Sequence, residues 1–431
     1  MYTFEKAITD RSIVTYPKQA PDLTTGQIIV DPFAGNQIVR CTDQNTNYGH
    51  SFHANSSGES NPWNANSTAF LVGERETGGS RLCEFDPVSL KVTYKGTALF
   101  PPNFYPFAFA YQDPTLLWGY SDLTLKGLNI TTGEVRTFID LRAELNIPSS
   151  PRWFLHSLDA DYSDHRLCCC LGEGQDKSYL LIVYDVDEGL TWLNTQTGQF
   201  NGWNAGQCSA WTPYKLHDCR SALAGTMVRS GGPGLPASDT RVFWKPGTPT
   251  VEFVKPSPTI PMHGHVAMGF TTHFGGRLET VPFQFISLPI WKFDSWINLM
   301  NPVPEPVQGW WSDYYISIKP DFNDNAPIFI STVNVQGNTT VPGQPPTTAA
   351  PGDNEILALS TDGSGRWWRL AHHYSTGQKG GTFYSIPILS VSPDGKFVLF
   401  TSDWYMQLGG LYPKQRSDAF VLKTGFASEG K

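Results

Sequence analysis

The stretch Ser392-Pro393-Asp394-Gly395-Lys396-Phe397-Val398-Leu399-Phe400-Thr401-Ser402 reads as a tight turn feeding a strand. Pro presets φ for the turn, Asp bonds back to the local backbone and Gly supplies conformational freedom; the apolar run that follows is too short for a helix. A polar Asn or Asp turn leading into a short apolar run recurs at Asn64 to Val72, Gln112 to Gly119, Asp161 to Leu171 and Asp321 to Ser331. Hairpin patterns follow these copies. Leu82 to Val92 turns at Asp86-Pro87, Leu125 to Val135 at Thr131-Thr132-Gly133, and Leu190 to Phe200 at Thr195 to Gly198; Arg241 to Val254 and Ile356 to Leu370 turn at Pro246-Gly247 and Asp362-Gly363.

Turn, strand and hairpin together make a unit of about four short strands, repeated about every 50 residues with almost no helical periodicity between copies. The expected fold class is all-β: a seven-bladed β-propeller of four-stranded antiparallel blades, in one domain over residues 1–431. First strands are expected near Asn61, Phe107, His156, His217, His265, Trp310 and Ser385. The last unit shows three evident strands, and Gln37 to Thr42 is a strand without a unit. That strand is expected to complete the last blade, removing an exposed edge. Residues 334–353, rich in Pro, Thr and Gly, read as a loop inserted between two strands of the sixth unit. The Pro- and Trp-rich run from Ser287 to Trp311 makes the fifth unit irregular, with room for a short helix.

The chain carries 31 Lys and Arg against 39 Asp and Glu, a net charge of −8, and no basic run. It therefore lacks the electrostatic footprint of a nucleic-acid binder. A charged fraction of 16% with 13% aromatic residues excludes disorder and coiled coil. No run approaches the roughly 18 apolar residues of a spanning helix. Met1 to Pro17 holds scattered charges where a secretion leader would be apolar, so the chain reads as cytosolic or as already stripped of its leader. Seven cysteines without a Cys-x-x-Cys pair argue against structural zinc. Cys168 to Cys170 should alternate faces on a strand, so that only some reach a core, and Cys208 and Cys219 could bridge a loop. Glycosylation-type triplets at Asn55, Asn66, Asn129 and Asn338 decide no compartment.

In a propeller the innermost strands surround a central channel, and polar residues where those strands begin meet at its mouth. The units begin with Leu155-His156-Ser157, Leu216-His217-Asp218 and Gly264-His265-Val266, one histidine from each of three neighbouring blades. Imidazole is both a transition-metal ligand and a proton acceptor near neutral pH. The structural alternative is that each histidine bonds a neighbouring blade's backbone and plugs the channel. Arg220 joins His217 only if strand alternation is broken between them, whereas His263 shares parity with His265. His273, His372 and His373 are expected outside the site, with the His372-His373 pair on the surface or in a loop.

Substrate contacts are expected from Trp153, Trp310, Trp311 and Arg277. The many other tryptophans, among them Trp63, Trp118, Trp203, Trp211, Trp367, Trp368 and Trp404, are expected mostly in the core. Asp159, Asp161, Asp218 and Asp313 lie near strand ends and could pair as glycosidase carboxylates, although each also suits a turn. Gly-x-Ser-x-Gly, Walker, His-Glu-x-x-His and dinucleotide patterns are all missing from the sequence.

The stretch from Ser392 to Phe400 resembles the repeat of TolB-type propellers, a family that includes translocation proteins, prolyl oligopeptidase propellers and oligogalacturonate lyases. Through Asn61-Pro62-Trp63-Asn64 and Asp403-Trp404 the chain also resembles uncharacterised propeller proteins of soil bacteria. The resemblance to oligogalacturonate lyases implies a divalent metal ion, Mn, Ca or Zn, held by His217, His263 and His265, with Arg220 or His156 as the base. His156, His217, Arg220 and His265 are then the catalytic set. The implied reaction is β-elimination across a uronic acid, the implied partner an acidic polysaccharide or oligosaccharide, and the implied location extracellular or periplasmic. A propeller hosts many activities, so a non-catalytic carbohydrate- or protein-binding propeller stands beside this reading.

Overall fold

The turn at Ser392 shows why the repeat folds as it does. Ser392 Oγ accepts the Phe397 N–H at 3.0 Å and donates to Asp394 Oδ1 at 2.6 Å, while the Gly395 N–H closes on Ser392 O at 2.9 Å. Gly395 sits at φ +77°, and a Cβ there would stand 2.8 Å from Phe426 Cδ1. Two other copies build the same turn from different residues. Asn64 Oδ1 accepts the Thr68 and Ala69 N–H groups with Ser67 at φ 60°, and Asp161 Oδ1 accepts those of His165 and Arg166 with Asp164 at φ 59°. A side chain caps the turn, and the residue three positions on takes the left-handed conformation.

This computed structural model describes residues 2–12, 19–46, 49–54, 61–149, 153–173, 178–194, 199–201, 216–222, 225–230, 240–244, 246, 251–254, 262–269, 272–277, 284–289, 297–299, 313–319, 325–333, 351–376, 386–409 and 416–428. At 156–157, 173, 178–179, 216–222, 225–230, 240–243, 251–254, 262–266, 268, 273–277, 284–289, 313 and 428 it describes the backbone only.

Among these residues the turns and hairpins assemble into seven antiparallel sheets of four or five strands, together with a two-stranded ribbon of Tyr2–Phe4 and Phe426–Ser428. The first sheet holds Phe52–Ala54, Ala69–Glu74, Ser80–Asp86 and Lys91–Gly96; the second holds Tyr105–Phe109, Leu116–Ser121, Thr124–Asn129 and Val135–Asp140. The third, fourth, fifth and sixth begin at Trp153–Ala160, Leu216–Ala222, Met262–Met268 and Asp313–Ile318. The seventh orders Leu389–Val391, Phe397–Ser402 and Asp418–Lys423, then Gln37–Arg40 and Ile28–Val30 from the amino-terminal region. First strands of the second through seventh sheets touch in order, the seventh sheet packs on Phe52–Ala54 of the first, and Ser80–Asp86 of the first touches Tyr105–Phe109 of the second. The molecule is an all-β propeller, and Leu141–Glu144 is the single α-helix among the described residues.

Sheets packed face to face are buried on both sides, which accounts for several departures from the sequence reading. Cys168, Cys169 and Cys170 are all buried, because the strand Arg166–Glu173 has no solvent face. His372 and His373 are buried too: the former ends the fourth strand of the sixth sheet, and the latter bonds Thr332 O through Nε2 at 2.9 Å. The first strand expected at Asn61 exists in two pieces. Phe52–Ala54 pairs with the end of Ala69–Glu74, and Trp63 bridges to Phe70 further along the same edge. The closing strand covers Gln37–Arg40, and Ile28–Val30 adds an outer fifth strand beyond it. The inserted segment joins strands ending at Val333 and beginning at Glu355, with 334–350 outside the described residues. Much of the Ser287-to-Trp311 run and Cys208 also lie outside them.

The tryptophans work as sheet-to-sheet wedges. Trp63 is fully buried, donates Nε1–H to Ser390 O of the seventh sheet at 3.2 Å and meets Phe70, Phe85 and Phe397 edge-on or stacked. Each such side chain contributes roughly 2–3 kcal/mol by burial. Trp118, Trp244, Trp367, Trp368 and Trp404 are buried as well, as the core reading expects.

Candidate active site at the leading ends of the first strands

A strand register that slips by one residue re-aims every side chain after it. Four consecutive first strands slip. The slip is one residue in the second sheet between Pro106 and Ala108, in the third between His156 and Asp159 and in the fourth between Leu216 and Asp218; in the fifth, between Met262 and Val266, it is two residues, which preserves the alternation. The corresponding pairings of the sixth and seventh sheets are regular. His217 is therefore the residue at which the fourth strand breaks register, and the fifth-strand break contains His263, Gly264 and His265. The backbone pairing is irregular between Leu216 and Asp218, and Arg220 pairs regularly with Met227.

Depth along the strands separates the candidates. His217 and His263 each follow the first residue of their strands, whereas His156 and His265 are fourth in theirs. At roughly 3.3 Å per residue the offset is about 7 Å in a regular strand. Arg277 ends the second strand of the fifth sheet opposite Met262, which places its backbone at the same leading end. Trp153 begins the first strand of the third sheet, paired with Glu173 and half-buried. Trp310 and Trp311 lie outside the described residues. The topology thus sets His156, His217, and His263 with His265, on three first strands that lie side by side.

One histidine escaped the sequence reading. His53 is the second residue of Phe52–Ala54, the same depth in its strand as His217 and His263 in theirs. Its ring lies on Gly73, where a Cβ would fall 2.1 Å from Cε1, so only glycine admits it. Nδ1 lies 2.7 Å from Ala54 O, and desolvation lowers the pKa, keeping the imidazole neutral at pH 7. The sequence carries no signal for it, since a three-residue strand has no period and the first unit is expected from Asn61 onward.

The carboxylates divide between the two ends of the sheets. Asp161 lies past the far end of its first strand and is occupied by the turn, accepting from Ser163 Oγ, His165 N and Arg166 N. Its neighbour Asp164 accepts the backbone N–H groups of Tyr111 and Gln112, lashing the third sheet to the second, although burial raises its pKa. Asp159 is buried near that far end, and its Oδ1 accepts the Ala160 N–H at 3.0 Å. Asp218 and Asp313 instead belong to the leading ends of their strands. A glycosidase pair drawn from Asp159 or Asp161 with Asp218 or Asp313 would have to reach along most of a strand, and Asp161 is a turn residue.

Among the described residues no group of three or more His, Cys, Asp or Glu side chains forms a metal site. Imidazole is a donor that suits a divalent transition metal, and the backbone brings His263 and His265 onto one register break and His217 onto the adjoining strand.

No protein-family model matches the sequence. No curated protein matches it by sequence. Among solved structures, the oligogalacturonate lyase of Vibrio parahaemolyticus superposes with a TM-score of 0.56 at 13% identity, covering 94% of this chain and 98% of the other. An oligogalacturonate lyase in complex with manganese gives 0.55 at 13% identity over the same shares. At that identity the likeness is one of fold: this chain has a propeller architecture similar to that of the lyases along nearly its whole length.

Proposed function

We propose that this chain is a lyase-like propeller enzyme that cleaves a uronic-acid-containing oligosaccharide or polysaccharide by β-elimination, acting outside the cytoplasm. The observation that carries the reading is the run of register breaks at or beside His156, His217 and His263 to His265, on first strands that adjoin one another. Structural neighbours named as oligogalacturonate lyases, one of them bound to manganese, support it.

In this reading His217, His263 and His265 hold a divalent cation. The cation, when bound, supplies Lewis acidity toward the uronate carboxylate and so acidifies the proton on C5. His156, set deeper on the neighbouring strand, takes that proton as a neutral imidazole; the C5–H electrons form the C4=C5 double bond, and the glycosidic oxygen leaves C4 and is protonated by water. Arg220 is cationic at every working pH, which suits it to steady the carboxylate better than to remove a proton. Arg277, Trp153, Trp310 and Trp311 are assigned in this reading to contacts with the flanking sugar.

The test is ultraviolet absorbance of the unsaturated uronate product over a panel of acidic polysaccharides, with and without chelator. We expect a chelator-sensitive rise that manganese restores. His217→Ala and His265→Ala should each lower turnover by about 100-fold or more with little change in Tm, since a group serving proton transfer or the metal contributes about that much. A flat trace on every substrate, or full turnover in both variants, would sink the lyase reading.

A further inference from the structure

The seventh and first sheets do not close completely at the end where first strands begin. A cavity of about 650 Å³ opens there, within the roughly 300–1,000 Å³ typical of ligand pockets. Arg40 reaches it from the end of the closing strand, Arg416 from the approach to Asp418–Lys423, and Ser51 from the residue preceding Phe52–Ala54.

Its charge is unusual. The buried Asp418 carboxylate holds two guanidinium groups: Arg40 donates from Nε at 3.0 Å and Nη2 at 2.5 Å, and Arg416 from Nε at 3.2 Å and Nη2 at 2.7 Å. Thr42 Oγ1 completes the shell at 3.1 Å. Both arginine side chains are more than nine-tenths buried against Asp418, the half-buried Asp43 carboxylate feels the Arg40 charge, and Arg40 also donates Nε–H to Thr42 O at 3.0 Å and Nη1–H to Leu23 O at 3.1 Å. Arg416 spends a further N–H on Gly49 O at 2.9 Å, which leaves one N–H on each terminal nitrogen without an acceptor among the described residues. Buried N–H groups without acceptors are costly, and a guanidinium fork fits a carboxylate.

The rim is polar and neutral except for one residue. Gln44 and Gln407 are exposed amides, and Glu76 is exposed with Oε2 accepting the Ser51 N–H at 2.9 Å. Gln407 is presented by a strained segment, for Trp404, Tyr405 and Met406 all take left-handed φ, at 49°, 55° and 61°. The strain is held by bonds from Trp404 Nε1 to Pro21 O and from Tyr405 N to Tyr374 O, each 2.7 Å. Non-glycine residues kept in that region cluster at ligand clamps.

We propose that this cleft binds an acidic sugar residue, its carboxylate received by Arg416 with Arg40 behind, and its hydroxyls met by Gln44, Gln407 and Ser51. The choice of a sugar rests on the lyase reading; the choice of a carboxylate rests on the arginines alone. The site is separate from the strands of His156, His217, His263 and His265, and it would anchor a chain of uronic acids away from the bond being cut.

The test is calorimetric titration of the full chain carrying His217→Ala and His265→Ala, in chelator, with D-galacturonate, with galactose as its uncharged match and with acetate as a bare carboxylate. Galacturonate is expected to bind and galactose to bind at least about tenfold more weakly, the scale of one charge-assisted fork. Arg416→Lys, which keeps the charge and loses the fork, should weaken galacturonate by about tenfold, with Tm recorded alongside. Gln407→Ala, on the exposed rim, tests the site without touching the buried ion cluster and should weaken it by about threefold. Glu76→Gln removes an opposing charge on the rim while leaving Asp418 in place and should tighten galacturonate, an effect that grows at low salt. Equal binding of galactose, equal binding of acetate, or a Glu76→Gln variant that binds more weakly would each overturn the proposal. If galacturonate behaves as expected while the unsubstituted chain cleaves no polysaccharide, the cleft stands and the lyase reading falls.

Discussion

Asp403 follows the second strand of the seventh sheet and has no exposed surface. Its Oδ1 accepts the Thr376 N–H at 2.9 Å and its Oδ2 the Thr376 hydroxyl, yet burial outweighs both bonds and pushes the pKa up to about 7. A carboxyl whose folded pKa stands above the ordinary 3.8 holds its proton more tightly when folded. Its contribution to stability is therefore whole below about pH 4 and is lost as the pH climbs to about 7. Asp403→Asn keeps the acceptor for Thr376 and abolishes the titration. The Tm of the variant relative to the unsubstituted chain should rise between about pH 4 and 7, by roughly a few degrees, and hold level above that. A difference independent of pH would mean that Asp403 is ionised in the fold throughout. His372 and His373 act in the opposite sense: burial lowers them to about 4 and about 3. In His373 the tautomer is fixed, with Nε2 donating to Thr332 O and Nδ1 accepting the Ser375 N–H. Their contribution is lost as the pH falls below about 6.5.

At the scale of the element, the repeated turn accepts different residues at its left-handed position, at different cost. Gly395 is confined by Phe426 and Lys319, while Ser67 takes the same conformation with a Cβ and with a buried Oγ that has no hydrogen-bond partner. Ser67→Gly removes both the backbone strain and the orphan hydroxyl, so it should stabilise the chain by about 1 kcal/mol in urea unfolding. Gly395→Ala should destabilise it by about 1–3 kcal/mol, since the new Cβ meets a packed ring as well as a disfavoured φ. Equal and small effects at both sites would show that the turn is not held as described. These turns and their hairpins were legible in the sequence because Ser392, Asn64 and Asp161 cap through their own side chains, a local event. The register breaks were not legible, since a bulge is defined by the partner strand: nothing in Leu216-His217-Asp218 says that Ser230 and Arg229 will be spaced one residue apart across from it. His53 was missed for a related reason, as a three-residue strand has no period to read. The burial of Cys168 to Cys170 and of the His372-His373 pair followed from sheets stacking on both faces, which no single strand reveals.

Across the whole molecule, the amino-terminal region fastens the ring well beyond supplying one strand. Gln37–Arg40 pairs along Asp418–Lys423, and Tyr2–Phe4 along Phe426–Ser428. Asn36 Nδ2 bonds Leu370 O at 2.8 Å, Tyr374 Oη donates to Asp31 at 2.7 Å, and Trp404 Nε1 donates to Pro21 O. Arg369, fully buried, clamps Glu355 through two bonds of 2.7 and 2.6 Å and extends Nη1 to Ser12 O at 2.9 Å. That a strand from Gln37 onward would pair with the last unit was readable from an unpaired apolar run set against a three-stranded last unit; the bonds of Asn36, Asp31, Pro21 and Ser12 join residues more than 300 positions apart and leave no local pattern. Removing residues 1–46 would expose the edge of Asp418–Lys423, strip Asp418 of Arg40 and leave the Trp404 indole and the Tyr374 hydroxyl without their acceptors. Buried donors deprived of partners cost about 1–3 kcal/mol each, and an open edge invites pairing between chains. The truncated chain should therefore lose its cooperative thermal transition and self-associate in sedimentation, and a synthetic peptide of residues 19–46 added in trans should restore both the transition and the sedimentation profile of the intact chain. A truncated chain that melts cooperatively at the Tm of the intact one would show that the seven sheets hold the ring without this fastening. Rescue by a peptide with Ile38 and Val39 replaced by Asp would show that the strand is not seated in the last sheet, because both side chains are fully buried there.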